Sequence, residues 1–183
     1  GMITFSDRSE TEQKIFQDYF KVAVGMVTGK ESVYKNKELG NIQLLNKKGV
    51  KDDYILVAEF PTEKKELNEY LLEHKDTLIG RKIKKFNESN WFEWGAPRNV
   101  KLIEENMGKK CIYISNLTRQ PEVAFIDKVQ YFGGALLMLL PKEDIDLKKV
   151  VNYLNSESFK KNFIYSGRFK IGHRQLSNSI FNV

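Results

Sequence analysis

Residues Lys109–Leu140 read KKCIYISNLTRQPEVAFIDKVQYFGGALLMLL, and the fold is decided there. The run Cys111–Ile114 is rich in β-formers. Ala135–Leu140 is almost wholly apolar, as a strand buried on both faces is. Glu122–Ile126 supplies a third strand between them. The short connections favour hairpins over parallel crossovers. Asn116-Leu117-Thr118-Arg119-Gln120-Pro121 is polar and turn-forming, and Gln130 and Tyr131 follow it. Core strands therefore carry a loop of Asn, Thr, Arg and Gln. Such side chains suit base edges and phosphates, though taken alone the segment reads first as a polar turn between strands.

Working outward, Tyr54–Phe60 (YILVAEF) reads as a further strand. The expected fold is α+β, a single domain with a mixed, largely antiparallel sheet of these four segments and helices packed on it. One helix is expected over Ser9–Lys21, with Ile15, Phe16, Tyr19 and Phe20 on one side and Ser9 or Thr11 as cap. Residues 1–21 then form a leading helical arm, and 22–183 the domain proper. The opening Gly1-Met2 reads as a tag-cleavage remnant. Glu38–Lys51 reads as a polar connection. Thr62 is expected to cap a helix with Leu67, Tyr70, Leu71 and His74 along its apolar stripe. Asp146 caps another, with Leu147, Val150, Val151 and Leu154 inward, and Ser156 caps a short one through Phe159 and Phe163.

The 183 residues suit one domain, and 41% hydrophobic content supports a core. No apolar run is long enough to span a membrane. The single cysteine, Cys111, excludes internal disulfides and a cysteine-based zinc site. It sits in a strand pattern, as a buried inert thiol would, and one free cysteine fits a reducing, cytoplasmic compartment. The two histidines, His74 and His173, have no partner at metal-ligand spacing.

The net charge of +6 permits a polyanionic partner, and its distribution is more telling than its sum. Arg81-Lys82-Ile83-Lys84-Lys85 is followed by Phe86, Trp91, Phe92, Trp94 and Arg98. Basic residues interleaved with aromatics suit a surface loop facing nucleic acid. They also suit a solvated charged segment beside two core tryptophans. Gly25 and Gly29 flank a turn, with Lys30 just beyond it. The tail, Phe163–Phe181, gathers Arg168, Lys170, His173, Arg174 and Gln175 within eight positions.

No catalytic constellation emerges. All four prolines are isolated, so the Asn/Asp-Pro-Pro-aromatic segment that holds a flipped adenine is missing, and Tyr131-Phe132-Gly133-Gly134 does not replace a glycine-rich cofactor loop. Glu63-Lys64-Lys65 has the Glu-x-Lys form of a metal-dependent nuclease, with Asp52 and Asp53 as possible partners. A protein-interaction domain presenting Trp91, Phe92 and Trp94 is a further alternative.

The chain resembles the target-recognition domain of adenine-specific DNA methyltransferases of restriction–modification systems, the TaqI-like C-terminal specificity domain, over roughly Val22–Phe181. The resemblance rests on Val24-Gly25-Met26-Val27-Thr28-Gly29, Leu78–Phe86, Asn116-Leu117-Thr118-Arg119, Leu154-Asn155-Ser156 with Phe159, and Ser166-Gly167-Arg168-Phe169. It implies a module that reads double-stranded DNA and is not an enzyme by itself. Its partner would be an N-terminal catalytic methyltransferase domain, absent here, that binds S-adenosylmethionine. No cofactor or metal is expected in this chain. Lys30, Arg81, Lys82, Lys84, Lys85, Arg98 and Lys170 would then neutralise phosphates. Arg119, Gln120, Gln130, Arg168, His173, Arg174 and Gln175 would read base edges in the major groove.

Overall fold

A computed structural model describes residues 13–183. The first elements are α1 (Phe16–Tyr19), β1 (Phe20–Val24), α2 (Glu31–Tyr34), β2 (Ile42–Lys47) and β3 (Val50–Tyr54). Then come α3 (Lys65–Glu73), α4 (Lys75–Ile79), α5 (Val100–Glu105), β4 (Lys110–Ser115), β5 (Leu117–Thr118), β6 (Ala124–Lys128) and β7 (Leu136–Pro141). The chain closes with α6 (Leu147–Leu154), α7 (Glu157–Lys160), β8 (Ile164–Tyr165), β9 (Arg168–Lys170) and α8 (His173–Ser177). The α+β class is as expected, and every named strand pairs antiparallel. The chain forms two compact units. One contains the described residues up to Val24, Glu105–Val129 and Ala135–Val183; the other contains Gly25–Glu104 and Gln130–Gly134.

The first unit is built on a four-stranded sheet in the order β1-β7-β4-β6. β7 lies between two neighbours, so five of its six residues are buried and the strand is apolar on both faces. The register puts Val22 and Ile112 opposite Leu139, and Ile114 opposite Leu137 and Ala124. These directly paired residues share one face and meet Phe16, Val150, Leu154, Phe159 and Leu176 in a single core. Each such side chain contributes roughly 1.5–3 kcal/mol when fully buried. Asp146 caps α6 by accepting from the amides of Lys148 and Lys149, and Ser156 accepts from Phe159 N, as expected. The expected helix over Ser9–Lys21 is confined, among the described residues, to α1. Phe20 and Lys21 leave it because their backbone pairs with Pro141 and Leu140 on the edge of β7. Strand β1 thus runs across the position where arm and domain were expected to meet. Ser9 and Thr11 lie outside the described residues.

The second unit centres on the β2–β3 hairpin, turned at Lys48-Gly49 with Gly49 at φ +73°. A strand pair therefore occupies most of what reads as the polar connection Glu38–Lys51. The expected strand Tyr54–Phe60 is corrected: β3 ends at Tyr54. Beyond it, Ile55 N donates to Tyr34 O, while Leu56 exchanges two hydrogen bonds with the Asn41 side chain. Those partners satisfy a buried, irregular backbone without a neighbouring strand. Ile55 and Val57 still point into the core, which explains the strand-like composition. Thr62 does not cap α3 directly. It accepts from the N–H of Lys64, the residue just before α3, and its own amide and hydroxyl donate to Asn68 Oδ1. Leu67 and Leu71 are buried as the stripe requires.

Candidate nucleic-acid interface

In the first unit the loop after β5 is a held structure. Thr118 Oγ1 accepts from Gln120 N, turning the chain so that Arg119 and Gln120 are exposed at its tip. At the far end, Asn155 Oδ1 accepts from Val123 N at 2.6 Å and Ala124 N at 2.9 Å, and its Nδ2 donates to Ala124 O at 3.0 Å. Lys160, buried to 9% exposure, donates from Nζ to Pro121 O at 2.7 Å and sits 3.4 Å from Glu157. One amide side chain and one buried ammonium thus pin the loop from beneath. The sequence offers a signal for the first in Leu154-Asn155-Ser156, and none for the role of Lys160.

Beside this loop, β5, β9 and β8 form a small sheet. The β8–β9 turn is Ser166-Gly167, with φ +51° and +75°, the primed two-residue geometry that matches strand twist. The register pairs Leu117 with Lys170, Thr118 and Ile164 with Phe169, and Tyr165 with Arg168. Phe169 is in the core, so its face is the inner one, and a cavity of about 220 Å³ opens there among Thr118, Arg119, Gln120, Lys160, Ile164 and Phe169. The opposite face carries Leu117, Tyr165, Arg168 and Lys170. Arg168 Nε is buried without a hydrogen-bond acceptor among the described residues. The tail that reads as a string of polar residues is therefore a hairpin followed by α8.

In the second unit three loops converge. Gly95 N donates to Thr28 O, and Val27 and Ala96 exchange two backbone hydrogen bonds. A Cβ on Gly95 would lie 2.4 Å from Ile83, and one on Gly29 3.0 Å, so both glycines give room to the Ile83 side chain. Lys30, Lys82, Lys84, Lys85 and Arg98 are exposed on these segments. Lys84 lies 3.6 Å from Glu93. The placement of Arg81 corrects the expectation of a phosphate contact: it is 8% exposed. Its guanidinium donates to Leu78 O, Thr28 O and Trp91 O at 2.7–2.9 Å and lies 3.7 Å from the Phe86 ring centre. Burial lowers its pKa, and the same burial pushes the nearby Tyr34 hydroxyl up to about 12.

Several other expected readers are placed differently. Gln130 is buried, at 8% exposure, and does not reach a base edge from there. His173 Nε2 is 2.9 Å from Val22 O; a carbonyl only accepts, so that nitrogen carries the proton and the ring is tied to β1. Gln175 Oε1 accepts from Gly172 N at the start of α8, and its Nε2 is 3.5 Å from Tyr165 Oη. Arg174 is exposed on α8. Arg119, Gln120, Arg168 and Lys170 are brought together around one small sheet. Leu117 and Tyr165, which the sequence did not single out as site residues, join them.

Trp91, Phe92 and Trp94 are buried at 2%, 7% and 1% exposure, and Trp94 Nε1 donates to Ile55 O, so they do not present a protein-binding surface. Asp52 accepts from Asn46 and pairs with Lys35, and Asp53 accepts from Gln43, across or beside the β2–β3 hairpin. Among the described residues no three His, Cys, Asp or Glu side chains come together as a metal site would require. Gly25, Gly133 and Gly134 are hemmed in by neighbouring atoms. A Cβ on Gly25 would lie 2.0 Å from Gly133 O, one on Gly133 2.3 Å from Asn46 Oδ1, and one on Gly134 2.8 Å from Val27. They serve close packing. Cys111 is fully buried, and burial pushes its thiol up to about 12. Among the described residues no helix is long and apolar enough to cross a membrane.

The chain is similar to a type II methyltransferase. The relative is the type II methyltransferase M.MjaIV of Methanocaldococcus jannaschii, 28% identical in an alignment that covers 84% of this chain. The chain spans 60% of that protein's length. No protein-family model matches the chain.

Proposed function

We propose that this chain reads the target sequence for an adenine-specific DNA methyltransferase of a restriction–modification system. The observation that carries the reading is the pinned loop of the first unit, whose exposed Arg119 and Gln120 stand beside Arg168 and Lys170 on the small sheet. Arginine pairs with guanine and glutamine with adenine through two hydrogen bonds each, and such pairing discriminates only when the backbone beneath is fixed. Asn155 and Lys160 supply that fixity here. Lys30, Lys82, Lys84, Lys85, Arg98 and Lys170 are free of the interior and neutralise phosphates. Arg81 acts by holding its loop in place. Similarity to a methyltransferase across most of the chain supports the reading.

Catalysis belongs, in this reading, to a partner domain outside the sequence, which holds S-adenosylmethionine and receives the flipped adenine while this module grips the duplex. The tightly packed glycines offer that cofactor no cradle, so no step of methyl transfer is assigned to residues of this chain. Selection from random duplexes, followed by titration at two salt concentrations, tests the proposal. A preferred site bound at micromolar affinity or better is expected. Arg119→Ala should relax one base position by about 1–3 kcal/mol. Binding without sequence preference, or an Arg119→Ala loss that is uniform across sequences, would remove base reading from this loop.

A further inference from the structure

We infer that the outward face of the β5-β9-β8 sheet enters the major groove, with Leu117 and Tyr165 packed against thymine C5-methyl groups. The inference rests on the DNA-reading function and adds to it an apolar half of the code. Leu117 and Tyr165 are 46% and 48% exposed, whereas Phe169 of the same sheet is buried. Register puts both on the face opposite Phe169, each directly paired with a cation: Leu117 with Lys170, Tyr165 with Arg168. No carboxylate belongs to those four positions, so the face is complementary to a polyanion.

The scaffold has the right form. The β8–β9 hairpin of this three-stranded sheet is a two-stranded ribbon, the form that fits the major groove, about 12 Å wide, where thymine is marked by its methyl group. The ribbon's tip is clear: a Cβ built on Gly167 meets nothing within 4 Å. The tight Ser166-Gly167 turn fixes Tyr165 and Arg168 side by side, so one side chain meets a methyl while the other donates to a neighbouring base. Lone exposed apolar residues are ordinary on protein surfaces. Two of them register-matched to two cations on one small sheet, beside a pinned polar loop, form a surface matched to DNA.

The test uses the whole 183-residue chain and a duplex site selected from random sequence. Each thymine is replaced in turn by deoxyuridine, which removes the C5-methyl and nothing else. At one or two positions the affinity should fall about fourfold, the value for one buried methyl. That fall should vanish in Tyr165→Ala or Leu117→Ala, which a double-mutant cycle between protein and base isolates. Both side chains are half exposed, and thermal melting checks that each variant is folded. Leu117→Ala and Tyr165→Ala are independent, so one suffices if the other is damaged. A site without thymine overturns the inference while leaving DNA reading intact. So does a site with no deoxyuridine-sensitive position, or an unchanged fourfold loss in both variants. Failure to select any site overturns the DNA reading itself, and this inference with it.

Discussion

Arg81 shows how a residue type can be read correctly and placed wrongly. Within Arg81-Lys82-Ile83-Lys84-Lys85 it reads as one more surface cation, yet its fork of donors reaches three backbone carbonyls from three segments. A planar guanidinium makes several hydrogen bonds at once, which an ammonium does not, so Arg81→Lys would not restore the site. Removing the side chain leaves the carbonyls of Thr28, Leu78 and Trp91 without that donor. Arg81→Ala should therefore lower the free energy of unfolding by roughly 3–5 kcal/mol, read as a shift of the urea midpoint. An unchanged midpoint with weakened DNA binding would return Arg81 to the phosphate-neutralising set.

At the scale of elements, the loop between β5 and β6 depends on a residue 31 positions beyond Ala124 in the chain. Asn155 ends α6 and uses its side-chain amide as a surrogate strand, taking the Val123 and Ala124 amides and giving one N–H to Ala124 O. Asn155→Ala should cost about 2 kcal/mol in stability and speed hydrogen exchange at the amides of Val123 and Ala124. Asn155→Asp keeps the acceptor and loses the donor, so its exchange should fall between wild type and alanine. For a selected duplex site, Asn155→Ala should bring affinity toward the non-specific level, because Arg119 and Gln120 lose their fixed base. Unaltered exchange at both amides would show that the loop is held by other side chains.

At the scale of the whole molecule, the +6 charge becomes informative only through its placement. Lys82, Lys84 and Lys85 are exposed on a loop that Arg81 anchors, so they can be removed without opening the core. The triple substitution Lys82→Ala/Lys84→Ala/Lys85→Ala should leave stability within about 0.5 kcal/mol. It should also reduce the slope of log affinity against log salt by about 2–3, near 0.9 for each phosphate that is no longer neutralised. The nearby Glu93 competes for Lys84, which places the expected change toward the lower figure. A slope equal to that of wild type would assign the charge of this loop to solubility.

By itself, the sequence determined the strands β4, β6 and β7 and the caps Asp146 and Ser156. Runs of β-branched and aliphatic residues and local side-chain caps act within a few positions, so pattern reveals them. It also determined that Cys111 is buried and that Arg119 and Gln120 stand on a turn. Tertiary structure decided the rest. Phe20 and Lys21 became strand because the edge of β7 offered backbone partners that a helix at those positions forgoes. Ile55 and Val57 became irregular core because Tyr34 and Asn41, distant in sequence, satisfied their stretch of backbone. Which cations face solvent and which are buried depended on where carbonyls from separate loops converge. Leu117 and Tyr165 came onto one face with Arg168 and Lys170 only through strand register, which joins β5 to a hairpin some fifty positions further along the chain. Long-range pairing of that kind leaves no periodic trace in the chain, and so the candidate reading surface took shape only in the fold.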